Sequence, residues 1–273
     1  VRALAVGGGD VSEVTGELPL RPFDEECLSM LGALPKRMSR HCFNSAVHHL
    51  RMAHQIQQVD PAMAAFRGLT AEEEAASGLM HCLKERGYEN ADQLKPRDHY
   101  QKNAIVPFLD AVGAAIASVL GEHASGTMLH IQEVDGERRL THCVKVSVNG
   151  ESRLMYPMPP LNFSVHSEGK PLSFRQSIES YVRQRGAVDV VTHLRQLQNR
   201  RNTLLYASDT GYPVGIELAP EFFSTRQGRV LALLRGYLMI QPYAERLPFV
   251  QDALNAYLYM LGRIDTGGLH EEI

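Results

Sequence analysis

Between Gln196 and Gly211 the chain reads QLQNRRNTLLYASDTG, crowding arginine, asparagine, threonine and tyrosine against a short apolar run that stops at a glycine. At helical spacing, Arg195, Asn199 and Asn202 fall four and three apart, with Tyr206 four further on. Such a ladder suits phosphate or sugar. Arginine offers a fixed fork of donors, asparagine both a donor and an acceptor, and tyrosine a stacking face. Arg195, Asn199 and Arg200 are the candidate substrate-binding residues. Arg201, Asn202 and Tyr206 are the candidate catalytic ones, together with an acid, Glu73, from the run Glu72-Glu73-Glu74. The competing reading of the same residues is architectural: arginine and asparagine tie this helix to the acidic one, and Tyr206 is half buried.

The acidic run has its own two readings. Acids in a first helical turn complement the helix dipole. The surrounding Ala71, Ala75, Ala76, Leu79, Met80 and Leu83 make most of the circumference apolar, so one of the three acids can face the interior. A buried carboxylate needs a cation, and an arginine of the central stretch is the expected partner.

Metal chemistry is a third possibility. His41 and His48 lie seven apart on one helix, with His49 and His54 nearby. His48, His54, Glu73 and His81 would form the centre of a metal-dependent hydrolase. The chain has neither HExxH nor the paired ExxH pattern of carboxylate-bridged sites, and no metal or other cofactor is assigned. A nucleophilic hydrolase is disfavoured: GxSxG is absent, and the neighbours His41-Cys42 and His81-Cys82 point in different directions on a helix.

The elements that must position these residues are mostly helical. Asp24 is read as the cap of a helix ending near Leu34-Pro35, followed by a helix from Cys42 to Val59 with an apolar face. Asp60-Pro61 starts one or two turns over Ala62 to Arg67. Thr70 and Glu73 then form a capping box opening a separate helix, Ala71 to Arg86, closed by Gly87. A further helix spans Lys102 to Leu120. After Gly126 the texture turns β-branched. Strands at Thr127 to Gln132, Leu140 to Val148 and Arg153 to Tyr156 are separated by Asp135-Gly136 and Asn149-Gly150, with a possible fourth strand at Asn162 to His166. Helices return at Ser173 to Gln184, Val188 to Ala207, Phe222 to Ile240 and Pro248 to Ile264.

The expected fold is α+β, mostly α: a helical bundle with a small antiparallel β meander inserted between N- and C-terminal helices. The divisions are a flexible N-terminus (1–20), an N-terminal bundle (21–125), the meander (126–170), C-terminal helices completing the bundle (171–265) and a tail (266–273). The Gly-rich start does not continue into a phosphate loop, since no GK[ST] follows.

Composition bounds the function classes. With 273 residues, 44% of them hydrophobic, and a net charge of −3, the chain is no general nucleic-acid coat, and any RNA contact must be local. Cys27, Cys42, Cys82 and Cys143 show no regular spacing, which fits a reduced, cytoplasmic protein better than a disulfide framework. The longest apolar stretch, Ile105 to Leu120, contains Pro107 and Asp110, so no membrane partner is expected. The segment VRALAVGGGDVSEV does not read as a signal peptide.

Two segments carry a family resemblance. AEEEAASGLMHCLKERGY resembles a helix of HEPN-superfamily bundles, particularly the AbiV-like branch of phage-defence proteins, and NRRNTLLYAS resembles that branch's later helix. The resemblance implies a dimeric, metal-independent ribonuclease with a composite site at the helix–helix interface. The family pattern is an arginine, then four to six intervening residues, then a histidine. Here Tyr206 follows Arg201 instead, and tyrosine, with an unperturbed pKa of about 10, is a poor base at neutral pH. Three functions therefore stand. The chain acts on or binds RNA in defence or stress, or it is a non-catalytic interaction or dimerisation module with a protein partner or a second copy, or it is a metal-dependent hydrolase.

Overall fold

Phe43 and Tyr237 stack in the centre of the molecule with ring centroids 4.6 Å apart, both fully buried although 194 positions separate them. The computed structural model describes residues 18–120, 124–148, 151–164, 166–167, 170–171, 174–176, 178–179, 204–206 and 218–265. Within these, α1 is Pro22–Ala33, α2 Met38–Ile56, α3 Pro61–Glu85 and α4 His99–Leu120. The strands are β1 Ala124–Val134, β2 Glu137–Val148, β3 Glu151–Met155, β4 His166–Ser167 and β5 Lys170–Pro171. Two long helices follow, α5 Phe222–Ile240 and α6 Pro248–Asp265. The fold is mostly α with a small antiparallel sheet, as expected.

The hub is α3. It packs along α2 on one side and α5 on another, and it also meets α4, while α6 lies against α4. Apolar residues of α1–α4 join those of α5 and α6 in one core that also takes in Leu140 of β2 and Phe174 and Ile178 of a helical segment. Among the described residues no helix is long and apolar enough to cross a membrane.

Several element boundaries differ from expectation, each for a local reason. The expected helix at Ala62–Arg67 and the one after Thr70 are a single 25-residue helix. Asp60 caps all of it, accepting from the Met63 amide at 2.9 Å, and Pro61 takes the first helical position. Thr70 is no cap: its hydroxyl donates to the Phe66 carbonyl at 2.9 Å, the bond a threonine makes inside a continuing helix. Gly87, at φ +67°, supplies the left-handed residue that ends the turn. Asp24 is also not a cap. Helix α1 starts one turn earlier, behind Arg21 and Pro22, and Asp24 is buried inside it, held by Arg21 at 3.0 Å and by Arg235 of α5.

The sheet runs β1-β2-β3, antiparallel throughout. Asp135 (φ 53°) and Gly136 (φ 76°) make the tight turn that aligns Val134 with Glu137. Leu140, Thr141, His142 and Cys143 bury the middle of β2, whereas β3 is exposed along its whole length. Among the described residues the expected fourth strand does not join this sheet: His166–Ser167 pairs instead with Lys170–Pro171 in a separate two-stranded ladder. Asn149-Gly150, Ser173 and nearly all of Val188 to Ala207 lie outside the described residues, as do 1–17 and the tail from 266.

At Gly78, α3 packs tightly against α2. A Cβ there would sit 2.7 Å from the Phe43 ring and 3.1 Å from the Ser39 carbonyl oxygen. Helix propensity alone makes Gly78→Ala stabilising by about 1 kcal/mol, but the overpacking opposes it with about 1–3 kcal/mol. Gly78→Ala is therefore expected to lower the urea midpoint without changing the slope of the transition; an unchanged or raised midpoint would show that Phe43 moves aside freely.

His142 yields a pH prediction. Burial lowers its pKa below the ordinary value, and its Nδ1 has no hydrogen-bond partner among the described residues. The folded chain thus resists protonation of the ring, while the unfolded chain takes up a proton below about pH 6.5. Stability present above that pH is lost as pH falls through it. His81 is lowered as well, chiefly by burial, and acts in the same sense. Unfolding measured at pH 7.5 and 5.5 should show lower stability at 5.5, and His142→Phe should reduce the difference.

Candidate functional site

Glu72, Glu73 and Glu74 sit in the middle of α3, not in its first turn, so the helix dipole does not account for them. Two are neutralised by neighbouring helices. Glu72 turns to α5, where Arg226 bonds its carboxylate and Arg229 lies 3.4 Å away. Glu73 turns to the start of α4. Its Oε2 lies 2.9 Å from His99 Nδ1 and 3.4 Å from Lys102 Nζ. Among the described residues, the cations that meet Glu72 and Glu73 are on α4 and α5, while the arginines of the central stretch lie outside the described residues.

The local sequence explains why His99 and Lys102 reach one carboxylate. Asp98 Oδ1 accepts from the Tyr100 and Gln101 amides at 2.8 and 3.3 Å, which fixes where α4 begins. Residues 99 and 102, three apart, then share a face of its first turn. One turn after Glu73, Ser77 Oγ lies within hydrogen-bonding distance of the Pro96 carbonyl at 3.0 Å and of the Glu73 carbonyl at 2.9 Å, so it pins the approach to α4 against α3. From the far side, the buried Tyr257 hydroxyl of α6 donates to the Gln101 carbonyl. Side chains of Glu73 and Lys102 are 4% and 7% exposed, whereas that of His99 is 43% exposed. The result is an imidazole reachable from solvent and steered by a sealed carboxylate that a lysine balances.

Chemically this arrangement orients a proton-transfer group. A carboxylate accepting from Nδ1 selects the tautomer whose basic nitrogen is Nε2. Sequence reasoning placed Glu73 here but missed His99 and Lys102, because the helix was started at Lys102. The available signal was Asp98 followed by His-x-x-Lys on a helix otherwise lined by Ala104, Ile105, Phe108 and Val112.

Of the other candidates, Tyr206 is described and exposed, which corrects the half-buried alternative. Arg195, Asn199, Arg200, Arg201 and Asn202 lie outside the described residues. The residues of the metal reading are not brought together. His54 Nδ1 pairs with Gln57 at 3.1 Å, Glu73 is engaged by α4, and no group of three His, Cys, Asp or Glu side chains suits a metal among the described residues. Burial pushes the thiols of Cys27 and Cys42 up to about 11 and that of Cys82 up to about 12, which leaves none of these three as a thiolate nucleophile near neutral pH.

Comparison of the chain with protein-family models, curated proteins and solved structures gives no match.

Removing Glu73 strands a buried ammonium. Glu73→Ala should therefore cost about 3–5 kcal/mol of stability. The double replacement Glu73→Leu with Lys102→Met should recover most of that loss, because an apolar pair of similar volume needs no compensation. Chemical denaturation of the set checks this. Equal losses in the single and double variants would mean that the charge pair is not what holds α4 to α3.

Proposed function

We propose that the chain is a cytoplasmic, HEPN-like protein that acts on RNA, with His99 as its general base. The observation that carries this reading is the 2.9 Å bond between His99 Nδ1 and the buried Glu73 carboxylate, beneath an imidazole that remains 43% exposed. Metal-independent RNA cleavage needs a group to take the 2′-hydroxyl proton as that oxygen attacks the adjacent phosphorus, and a proton for the departing 5′-oxygen. His99 takes the first part in this reading, which supplies the histidine that does not follow Arg201. The stretch Arg195 to Tyr206 supplies phosphate contacts through Arg195, Arg200 and Arg201, polar contacts through Asn199 and Asn202, and a stacking ring at Tyr206. A second copy completes the site across a dimer interface, as the family resemblance implies.

A second reading rests on β3. Glu151–Met155 is exposed at every position, and Leu154 and Met155, with Tyr156 just after the strand, present apolar surface at a strand that pairs with β2 alone among the described residues. Such an edge accepts a partner's strand, which makes the protein a non-catalytic interaction module.

Incubation of the purified chain with total cellular RNA, with and without EDTA, separates the two. Under the nuclease reading, cleavage persists in EDTA and falls by about 10²–10⁴ in His99→Gln, while the thermal midpoint of the variant stays close to that of the wild type. Absence of cleavage by the wild type under both conditions, with a partner co-purifying in near-stoichiometric amount, would move the assignment to the interaction module.

A further inference from the structure

Away from Glu73, α3, α4, α5 and α6 enclose a cavity of about 260 Å³. Its walls include Leu79 of α3, Phe108 of α4, Gly236 and Met239 of α5, and Ala253 and Tyr257 of α6. Among the described lining side chains, Tyr257 alone carries a hydroxyl, amide or charged group, and its hydroxyl is already given to the Gln101 carbonyl. Among the described residues no charged side chain lines it. One side is open, where Leu109 of α4 is 40% exposed and Ala232 of α5 faces outward.

Close-packed interiors tolerate few voids larger than a water molecule. Purely apolar cavities of about 150 Å³ stay dry and take up benzene. This one is larger and open on one side, so it can admit more than a single aromatic ring, and its described walls offer water few partners. Gly236 is informative here. Glycine is a poor residue for the middle of a helix, and its usual justification is a neighbour too close for a side chain. At Gly236 the opposite holds: a Cβ would meet no heavy atom within 4 Å. Gly236 lines the cavity, and its missing side chain relieves no contact.

We propose that this cavity is a binding site for a neutral, hydrocarbon-rich small molecule, such as an uncharged medium-length alkyl or acyl chain, entering between α4 and α5. Neutrality follows from the walls, which offer neither a counter-charge nor an uncommitted polar group. A chain fits better than a polar ring for the same reason. The site is independent of the His99–Glu73 pair, so it stands or falls apart from any activity on RNA.

The test is titration of 1-decanol into the full-length chain, followed by calorimetry and by the thermal midpoint. The wild type should bind one decanol per chain, with a saturable rise in midpoint of about 3 °C or more. Gly236→Leu adds bulk at the cavity wall where a Cβ meets no neighbour, so it should fold and lose at least about tenfold in decanol affinity. Ala253→Leu, which narrows the cavity from α6, should do the same and covers the case in which the first variant folds poorly. Absence of saturable binding by the wild type, or unchanged affinity in both variants, would overturn the proposal. So would a concentration-dependent dimer that decanol does not affect and that Gly236→Leu dissociates, since a second copy would then be the occupant.

Discussion

Burying acidic side chains in the middle of a long helix is the constraint on which this architecture turns. Successive residues of a helix point roughly 100° apart. Glu72 and Glu73 therefore cannot share a partner, and each demands a cation from a different neighbour. Arg226 and Arg229 answer from α5, and Lys102 with His99 from α4. The pair fixes where both helices lie around α3. Asp24 repeats the device between α1 and α5. Burial works to raise its pKa, but the hydrogen bonds from Arg21 and Arg235 outweigh that and leave it lowered. Charges inside a core of this kind add little net stability compared with apolar packing, but a misplaced helix would leave one of them bare. They select an arrangement more than they strengthen it.

What was legible in the sequence was whatever depends on near neighbours along the chain. The apolar face of α2, the Asp60-Pro61 start of α3, the Gly87 stop and the Asp135-Gly136 hairpin are all local devices, and all are present. The errors came where a local device had two uses. Thr70 with Glu73 has the spacing of a capping box, yet the same residues sit within an unbroken helix once Gly68 packs against Phe222 of α5 and Glu73 is drawn to α4. Asp24 likewise has the look of a cap, but a cation 211 residues away makes it an interior residue.

The candidate site shows the same division. Glu73 was readable as an acid on an apolar helix in need of a cation. Its actual partners were not, because nothing in the spacing between residues 73 and 99 says that the loop between them folds back. That return depends on Ser77 holding the Pro96 carbonyl and on Asp98 starting α4 at the right residue. Both rest on one or two hydrogen bonds with no periodic signature.

All four cysteines are unpaired and buried, and they are spread over α1, α2, α3 and β2. A thiol reagent can reach each one only when its surroundings open. The rate at which each cysteine is alkylated therefore reports a local opening equilibrium and needs no engineered probe. Cys42 and Cys82 report on the helical centre, Cys27 on the docking of α1, and Cys143 on the sheet. The chain thus carries its own gauges for asking which part loosens first.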